Sequence, residues 1–382
     1  MTQKVLFLGT KIKEMPFRII DGDRGKNYPK GHEFSDSGFC LFLSAKNVTN
    51  DGFNFNQKQF VTAEKDELLR KGKLNREDVI LTTRGTVGNV AIYDSLVPYD
   101  NVRINSGMII IRCNKERILP KYLYFVLKSN LFQDQVENFK SGSAQPQLPI
   151  RDMQNMKLPL PDVGEQRSVI NQIGTIDEKI ELNRRMNDTL EQIGQAIFHH
   201  YFIDNSKVKN WQNITLGDKI KPRRGKSLQS RDMKPGDIPV VSGGLQPAGF
   251  HNESNTTAPV ITVSASGANA GFTAYWGQNV WSADSSFIDT TITSTIYFYY
   301  LFLRRNQKRI YEMQTGSGQP HIYPSHLERL ELPNAPDELI LKFDSYIAAN
   351  FKMIEENKQQ ICTLTALRDS LLPQLISGKL RV

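Results

Sequence analysis

Gly142-Ser143-Ala144-Gln145-Pro146 returns 174 residues later as Gly316-Ser317-Gly318-Gln319-Pro320. The same offset carries Leu158-Pro159 to Leu332-Pro333, Ile173 to Ile347, Ile180-Glu181 to Ile354-Glu355, Asn183 to Asn357, Leu190 to Leu364 and Ile197 to Leu371. So many matches at one spacing mark an internal duplication, which fixes the architecture before any single element is assigned. Upstream the correspondence loosens. Tyr122-Leu-Tyr-Phe-Val-Leu resembles Tyr297-Phe-Tyr-Tyr-Leu-Phe, and Arg84-Gly85-Thr-Val-Gly88 resembles Ser266-Gly267-Ala-Asn-Ala-Gly271.

Each copy is a basic block followed by a helical block. Residues 1–160 carry a net charge of +7, residues 161–205 −4, residues 206–335 +5 and residues 336–382 zero, within a chain of net charge +8. Two separated basic blocks suit a polyanion touched in two places. Within them, short β-branched runs such as Asp78–Thr83, Met108–Arg112 and Val260–Val263 are bounded by turn residues, as strands are. Stretches 120–135 and 294–313 read as helices covering a sheet. In the other blocks, Val169, Ile173, Ile176, Ile180, Leu190, Ile193 and Ile197 fall three and four apart, and so do Phe343, Ile347, Phe351, Ile354, Ile361, Leu364, Leu367 and Leu371. Each set is one apolar stripe on a long helix.

A lone stripe on such a rod needs a partner, and the other copy supplies it. The predicted fold is α+β: two mixed α/β domains in tandem repeat, separated by two long helices packing as an antiparallel coiled coil about a pseudo-two-fold. The boundaries are 1–160 for the first mixed domain, 161–205 for a central helical spacer, 206–335 for the second mixed domain and 336–382 for the C-terminal spacer. The seam is Ile173, Ile180, Asn183, Leu190 and Ile197 against Ile347, Ile354, Asn357, Leu364 and Leu371. Two placements of Asn183 and Asn357 fit the pattern, in the seam fixing register or just outside it in water.

Composition narrows the chemistry. With 39% hydrophobic and 23% charged residues in 382, the chain is an ordinary globular protein. Its three cysteines (Cys40, Cys113, Cys362) form no CxxC pair, and its six histidines show no ligand spacing. The run Val5–Leu8 is too short for a signal peptide, and the apolar stretch Ile296–Leu303 is too short to span a bilayer. A cytoplasmic location is expected, with no membrane partner. No Pro-Pro dipeptide, GxGxxG after a strand, Walker loop or GxSxG elbow is present. Asp337 and the Glu356-Lys358 pair resemble nuclease residues, but about 28 Å of helix separates them at 1.5 Å per residue. Neither catalytic residues nor a metal are expected in this chain.

The arrangement resembles the specificity subunit of type I restriction–modification systems over its whole length. Leu158-Pro-Leu-Pro-Asp-Val-Gly-Glu165-Gln166 resembles the family's junction into the central conserved helix, and Ser370 to Val382 resembles its C-terminal ending. Trp211 through Asp218 with Arg224-Gly225-Lys226 resembles the opening of a target-recognition domain, as Ile19 to Pro29 does in the first copy. Two departures stand out. The second junction, Asn334 to Leu339, does not repeat the Glu-Gln pair. The chain also begins almost inside its first domain, with no tryptophan before Leu8-Gly9.

The resemblance implies a subunit without catalysis of its own that reads a bipartite, asymmetric site on double-stranded DNA. It implies two methyltransferase subunits docked on the helices, which methylate adenine with S-adenosylmethionine, and two restriction/translocase subunits. ATP and magnesium then act on those partners, and this chain holds no cofactor. A related system with a nuclease fused to its methyltransferase, a self-contained DNA enzyme, and a coiled-coil adaptor without DNA specificity are the other readings.

Arg and Lys bind phosphates or read guanine, and Gln and Asn read adenine in the major groove. On that basis the candidate contacts in the first copy are Arg24, Lys26, Lys46, Arg84, Arg103, Gln145 and Gln147. In the second they are Arg223, Arg224, Lys226, Ser242, Ser266, Asn269, Gln319 and His321. Residues that differ between the copies are the better base readers, because two identical readers would require a palindrome.

Overall fold

The computed structural model describes residues 9–142, 146–316, 318–376 and 379–380. The chain divides into two compact units, residues 1–179 with 363–382 and residues 180–362. The cut falls inside the long helices, so each unit combines a mixed domain with a part of both rods, where the sequence suggested four successive blocks.

In the first unit a four-stranded antiparallel sheet runs Phe17–Asp21, Met108–Cys113, Val79–Thr82, Val90–Ile92. Its inner strands, Val-Ile-Leu-Thr and Met-Ile-Ile-Ile-Arg-Cys, are apolar nearly throughout because both faces are covered. Val79, Leu81, Ile109 and Ile111 pack beneath helix Pro120–Lys128. Ile80, Met108 and Ile110 face a second cluster with Leu41, Leu43 and Tyr93. This alternation is the period-two signature of a strand buried on both sides. A three-stranded sheet follows, with Cys40–Leu43 antiparallel to Phe60–Val61 and parallel to Val102–Ile104. The predicted helix over 120–135 is two, Pro120–Lys128 and Asn130–Phe139. They are parted at Ser129, whose backbone is extended and whose hydroxyl bonds back to Val126 O at 2.6 Å.

The second unit repeats these two sheets in the same strand order, and the first unit's hairpin of Val48–Thr49 and Gly52–Phe53 has no counterpart among the described residues. Its sheets run Arg223–Arg224, Ser285–Ile288, Val260–Ser264, Thr273–Trp276 and Gly249–His251, Ile238–Val241, Trp281–Ser282, again with one parallel pair. Here too the covering segment is split, into Ile296–Arg305 and Gln307–Glu312.

Val163–Phe202 and Asp337–Ile376 are helices of 40 residues each, about 60 Å at 1.5 Å per residue. Both units contain an antiparallel pairing of these helices. In the first, Val169 and Ile173 share a core with Leu372, Leu375 and Ile376, and Asp177 meets Arg368 at 3.3 Å. In the second, Asn183 donates to Gln360 at 3.1 Å, Asn357 donates to Asn187 at 2.9 Å, and Phe198 and Phe202 pack on Phe343. Asn183 and Asn357 are therefore buried in the seam. Ile173, Ile180, Ile347 and Ile354 are buried with them, while Leu190, Ile197, Leu364 and Leu371 are half-buried at the seam's edge.

The junction residue Gln166 is fully buried. Its carboxamide accepts from Leu119 N at 2.8 Å and donates to Arg117 O and Pro161 O, each at 2.9 Å. At the equivalent place 174 residues on stands Ile340, buried in the apolar core. A polar clamp in one copy is thus an apolar plug in the other.

Candidate nucleic-acid interface

The duplicated motif builds one loop cradle in each unit. In the first unit, strand Val79–Thr82 runs out into Thr83-Arg84-Gly85. Gly85 N donates to Pro146 O at 3.2 Å, Leu148 N donates to Thr83 O at 2.9 Å, and Gln147 bridges both Arg84 and Ser141. In the second, Gly267 N donates to Pro320 O at 3.0 Å, Ile322 N donates to Ala265 O at 2.9 Å, and His321 bridges both Ser266 and Thr315. Gly85 and Gly267 sit at φ +76° and +80°, a backbone conformation that side chains resist. Pro146 and Pro320 of the repeated motif are therefore scaffold: their carbonyls tie the loop after one strand to the segment before a short helix, Ile150–Met153 in one copy and Pro324–Glu328 in the other.

Further loops converge on each cradle. In the first unit Thr83 N and Arg84 N both donate to Gly107 O, at 2.8 and 3.1 Å, and Thr86 Oγ1 reaches Ala45 O at 3.4 Å. Arg24 Nη2 donates to Ser106 O at 3.3 Å and pairs with Asp21. Its loop is pinned by buried Asp23, which accepts from Gly25 N and Arg70 N at 2.7 Å each. Burial pushes the Asp23 carboxyl up, but those backbone donors outweigh it and hold the group below its ordinary range. Arg24, Lys46 and Arg84 are thus brought to one end of the sheet, all exposed, with half-buried Gln147 among them. Lys26, two residues past Arg24, is exposed as well.

In the second unit Arg224 Nη2 meets Asp284 Oδ1 at 2.6 Å, the Ser266 hydroxyl donates to Asp284 Oδ2, and Asn269 Nδ2 reaches Gly243 O at 3.3 Å. Ser242 precedes Gly243 in the same loop. Gly225 lies so close to the Ser282 and Ala283 carbonyls that a Cβ would meet them at 2.4 and 2.7 Å, and Gly22 meets Asn105 O equally closely in the first unit. Arg223, Arg224, Lys226 and Gln319 are exposed, and Ser242, Ser266, Asn269 and His321 half-buried. His321 stacks on Tyr323 with ring centroids 6.0 Å apart. Arg223 Nη1 also reaches Thr291 Oγ1 at 3.2 Å.

Two of the sequence candidates are not among these residues. Gln145 lies outside the described residues. Arg103 is not a surface residue, since only 5% of it is exposed. Its guanidinium pairs with buried Asp66 and donates to Lys71 O at 2.8 Å, Asp66 O at 2.7 Å and Leu69 O at 3.0 Å. It sits on the parallel edge strand Val102–Ile104 facing inward, and its donors are engaged within the fold.

Sequence reasoning also passed over Asp284, because a carboxylate is an unexpected occupant of a polyanion surface. Asn105-Ser106-Gly107 carries no repeat signal in the sequence either, because the two copies have diverged there. Pairing registers supply the missing equivalence: Met108 faces Thr82 as Ser285 faces Ser264, which sets Gly107 opposite Asp284. Among the described residues no group of His, Cys, Asp and Glu is placed to hold a metal ion, and no helix is long and apolar enough to cross a membrane.

Residues 16–192, and again 208–362, match the family described as the type I restriction modification DNA specificity domain. A type I restriction enzyme specificity subunit of Methanocaldococcus jannaschii (MjaIX) is 26% identical over 347 residues, 80% of this chain and 78% of that one. A putative type I specificity subunit of Mycoplasma genitalium is 24% identical over 271 residues, 67% of this chain and 70% of that one. A crystal structure of the type I restriction–modification S subunit from M. genitalium aligns over 98% of this chain and 97% of its own, at TM-score 0.50 and 18% identity, a likeness of fold.

Proposed function

We propose a function that starts from one established premise: the chain belongs to the family of type I restriction–modification DNA specificity domains, two of them in tandem. As a specificity subunit it recognises DNA sequence. The finer reading is that each unit reads one half of a bipartite, asymmetric site on double-stranded DNA through its loop cradle. The carrying observation is the same backbone cradle built twice in one chain with different side chains on it: Arg84 and Gln147 in one, Ser266 and His321 in the other. One scaffold with two sets of readers is what an asymmetric split site requires, since identical readers would select a palindrome.

The long helices dock the partners in this reading. Leu182 and Ile193 on the first helix and Leu341, Tyr346, Met353 and Leu367 on the second are exposed large apolar side chains, which suits burial against other subunits. Those partners are two methyltransferase subunits, which methylate adenine with S-adenosylmethionine, and two restriction/translocase subunits, which use ATP and magnesium. In this reading the chain itself is non-catalytic, and it positions the DNA for its partners.

The test is a single-molecule methylome. The chain and its cognate methyltransferase subunit are expressed in a host without adenine methylation, and modified adenines are read genome-wide. The expected result is one motif in two unlike halves with a fixed gap. A continuous or palindromic motif overturns the two-reader reading.

A further inference from the structure

Asp284 is a carboxylate set among the residues of a face that, on the reading above, meets a polyanion. Its side chain is 37% exposed and that of its partner Arg224 is 40% exposed. An ion pair this open contributes little to stability. A carboxylate near phosphates weakens non-specific attraction. Neither stability nor general affinity accounts for it, yet it is held in a set orientation. Arg224 donates to Oδ1 at 2.6 Å and the Ser266 hydroxyl donates to Oδ2. Its own carbonyl closes the cradle by accepting from Ala265 N at 3.1 Å, as Gly107 O accepts from Thr83 N in the first unit.

A carboxylate only accepts, with about four lone-pair sites on its two oxygens. Arg224 and Ser266 take one on each oxygen, so acceptor capacity remains on both. In the major groove guanine and thymine present only acceptors at their hydrogen-bonding edges, which a carboxylate repels. Adenine presents an acceptor beside its donor, whereas cytosine presents its N4 amino donor alone.

We propose that Asp284 is a specificity-determining residue that accepts a hydrogen bond from the N4 amino group of a cytosine in the half-site read by the second unit. Arg224 and Ser266 position the carboxylate. The proposal rests on the DNA-reading function above and adds a base to it. It also gives the two cradles opposite demands. At the equivalent places the first unit has Gly107, which presents no acceptor side chain, and Arg84, which presents donors.

The test compares methylomes of the wild type, Asp284→Asn and Asp284→Ala, each with the cognate methyltransferase subunit. The wild-type motif is expected to require cytosine at one position, on either strand, of one half-site. In both variants that position alone becomes degenerate, with discrimination falling about 10- to 100-fold. Binding by the purified wild-type complex provides a second measurement that needs no variant to fold. Each cytosine of that half-site is replaced in turn by pyrimidin-2-one, which lacks the N4 amino group, and one replacement is expected to weaken binding about 10- to 100-fold. A bipartite wild-type motif with no cytosine in either half, variants that keep the full motif, or pyrimidin-2-one tolerated at every cytosine overturns the assignment while leaving DNA reading intact. Absence of any bipartite motif in the wild type overturns the reading beneath it.

Discussion

Asp344, on the second long helix, is 6% exposed and accepts a hydrogen bond from Phe298 N at 2.8 Å. Burial raises its carboxyl from 3.8 to about 6, against the lowering effect of the Phe298 and Tyr297 amides. That displacement corresponds to about 3 kcal/mol, at about 1.4 kcal/mol per pH unit. The folded state holds the proton more tightly than the unfolded chain. The stabilising contribution is therefore complete below pH 4, is lost as the pH rises through 6, and is absent at pH 8. Asp344→Asn removes the buried charge and keeps a carbonyl oxygen for Phe298 N, but forfeits about one backbone hydrogen bond, worth about 1 kcal/mol. The variant is expected to be about 1 kcal/mol less stable than wild type at pH 4 and about 2 kcal/mol more stable at pH 8. For a unit of this size that is a melting temperature about 4–8 °C higher at pH 8. Scanning calorimetry of both proteins at pH 4, 6 and 8 measures it. A difference between variant and wild type that stays constant across this range refutes the reasoning. At the equivalent place in the first copy stands Ile170, packed against the core, so the site itself accommodates an apolar residue.

Three further outcomes follow from the packing. Arg103→Met leaves buried Asp66 with Lys73 as its remaining cation and the Lys71 and Leu69 carbonyls without the Arg103 donors, and is expected to destabilise the first unit by about 3–5 kcal/mol in chemical denaturation. Gln166→Ala orphans Leu119 N and two carbonyls at the helix junction at a cost of about 2–3 kcal/mol, whereas Ile340→Val at the equivalent position costs about 1 kcal/mol; urea midpoints separate the two. Arg84→Ala in the assembled complex is expected to lower the slope of log K against log salt by about 0.9 if its contact is to a phosphate, and an unchanged slope assigns Arg84 to a base or to neither.

The duplication was legible because its most constrained residues are scaffold. Pro146 and Pro320 accept the same backbone bond in both copies, and Gly142 and Gly316 both sit at positive φ, so they repeat in sequence. The long helices were legible for the same kind of reason: Ile173, Ile180, Ile347 and Ile354 must all be buried, and burial imposes periodicity. What escaped was set by tertiary contacts that leave no local mark. Arg103 lies in Asn-Val-Arg-Ile-Asn, a string equally suited to an exposed loop, and only the parallel pairing with Cys40–Leu43 turns its side chain toward Asp66. The Glu165-Gln166 pair reads as a motif, yet Gln166 is a buried clamp for the end of the Arg117–Leu119 turn. Asp284 was hidden by its sign, since charge counting treats every carboxylate as evidence against a polyanion surface. The split of each covering helix at Ser129 and Asn306 also has no breaker residue such as proline to announce it.

The most direct test of the central claim is hydrogen–deuterium exchange on the assembled complex, with and without a duplex carrying the methylated motif. The account predicts slowed exchange in two separate sets of loops. One comprises residues 22–27, 44–47, 83–88 and 146–148, and the other comprises residues 223–226, 242–246, 265–271 and 318–322. Altering one half-site should release one set and leave the other protected. Protection confined to a single set, or a response of both sets to either half-site, contradicts two independent readers on one chain.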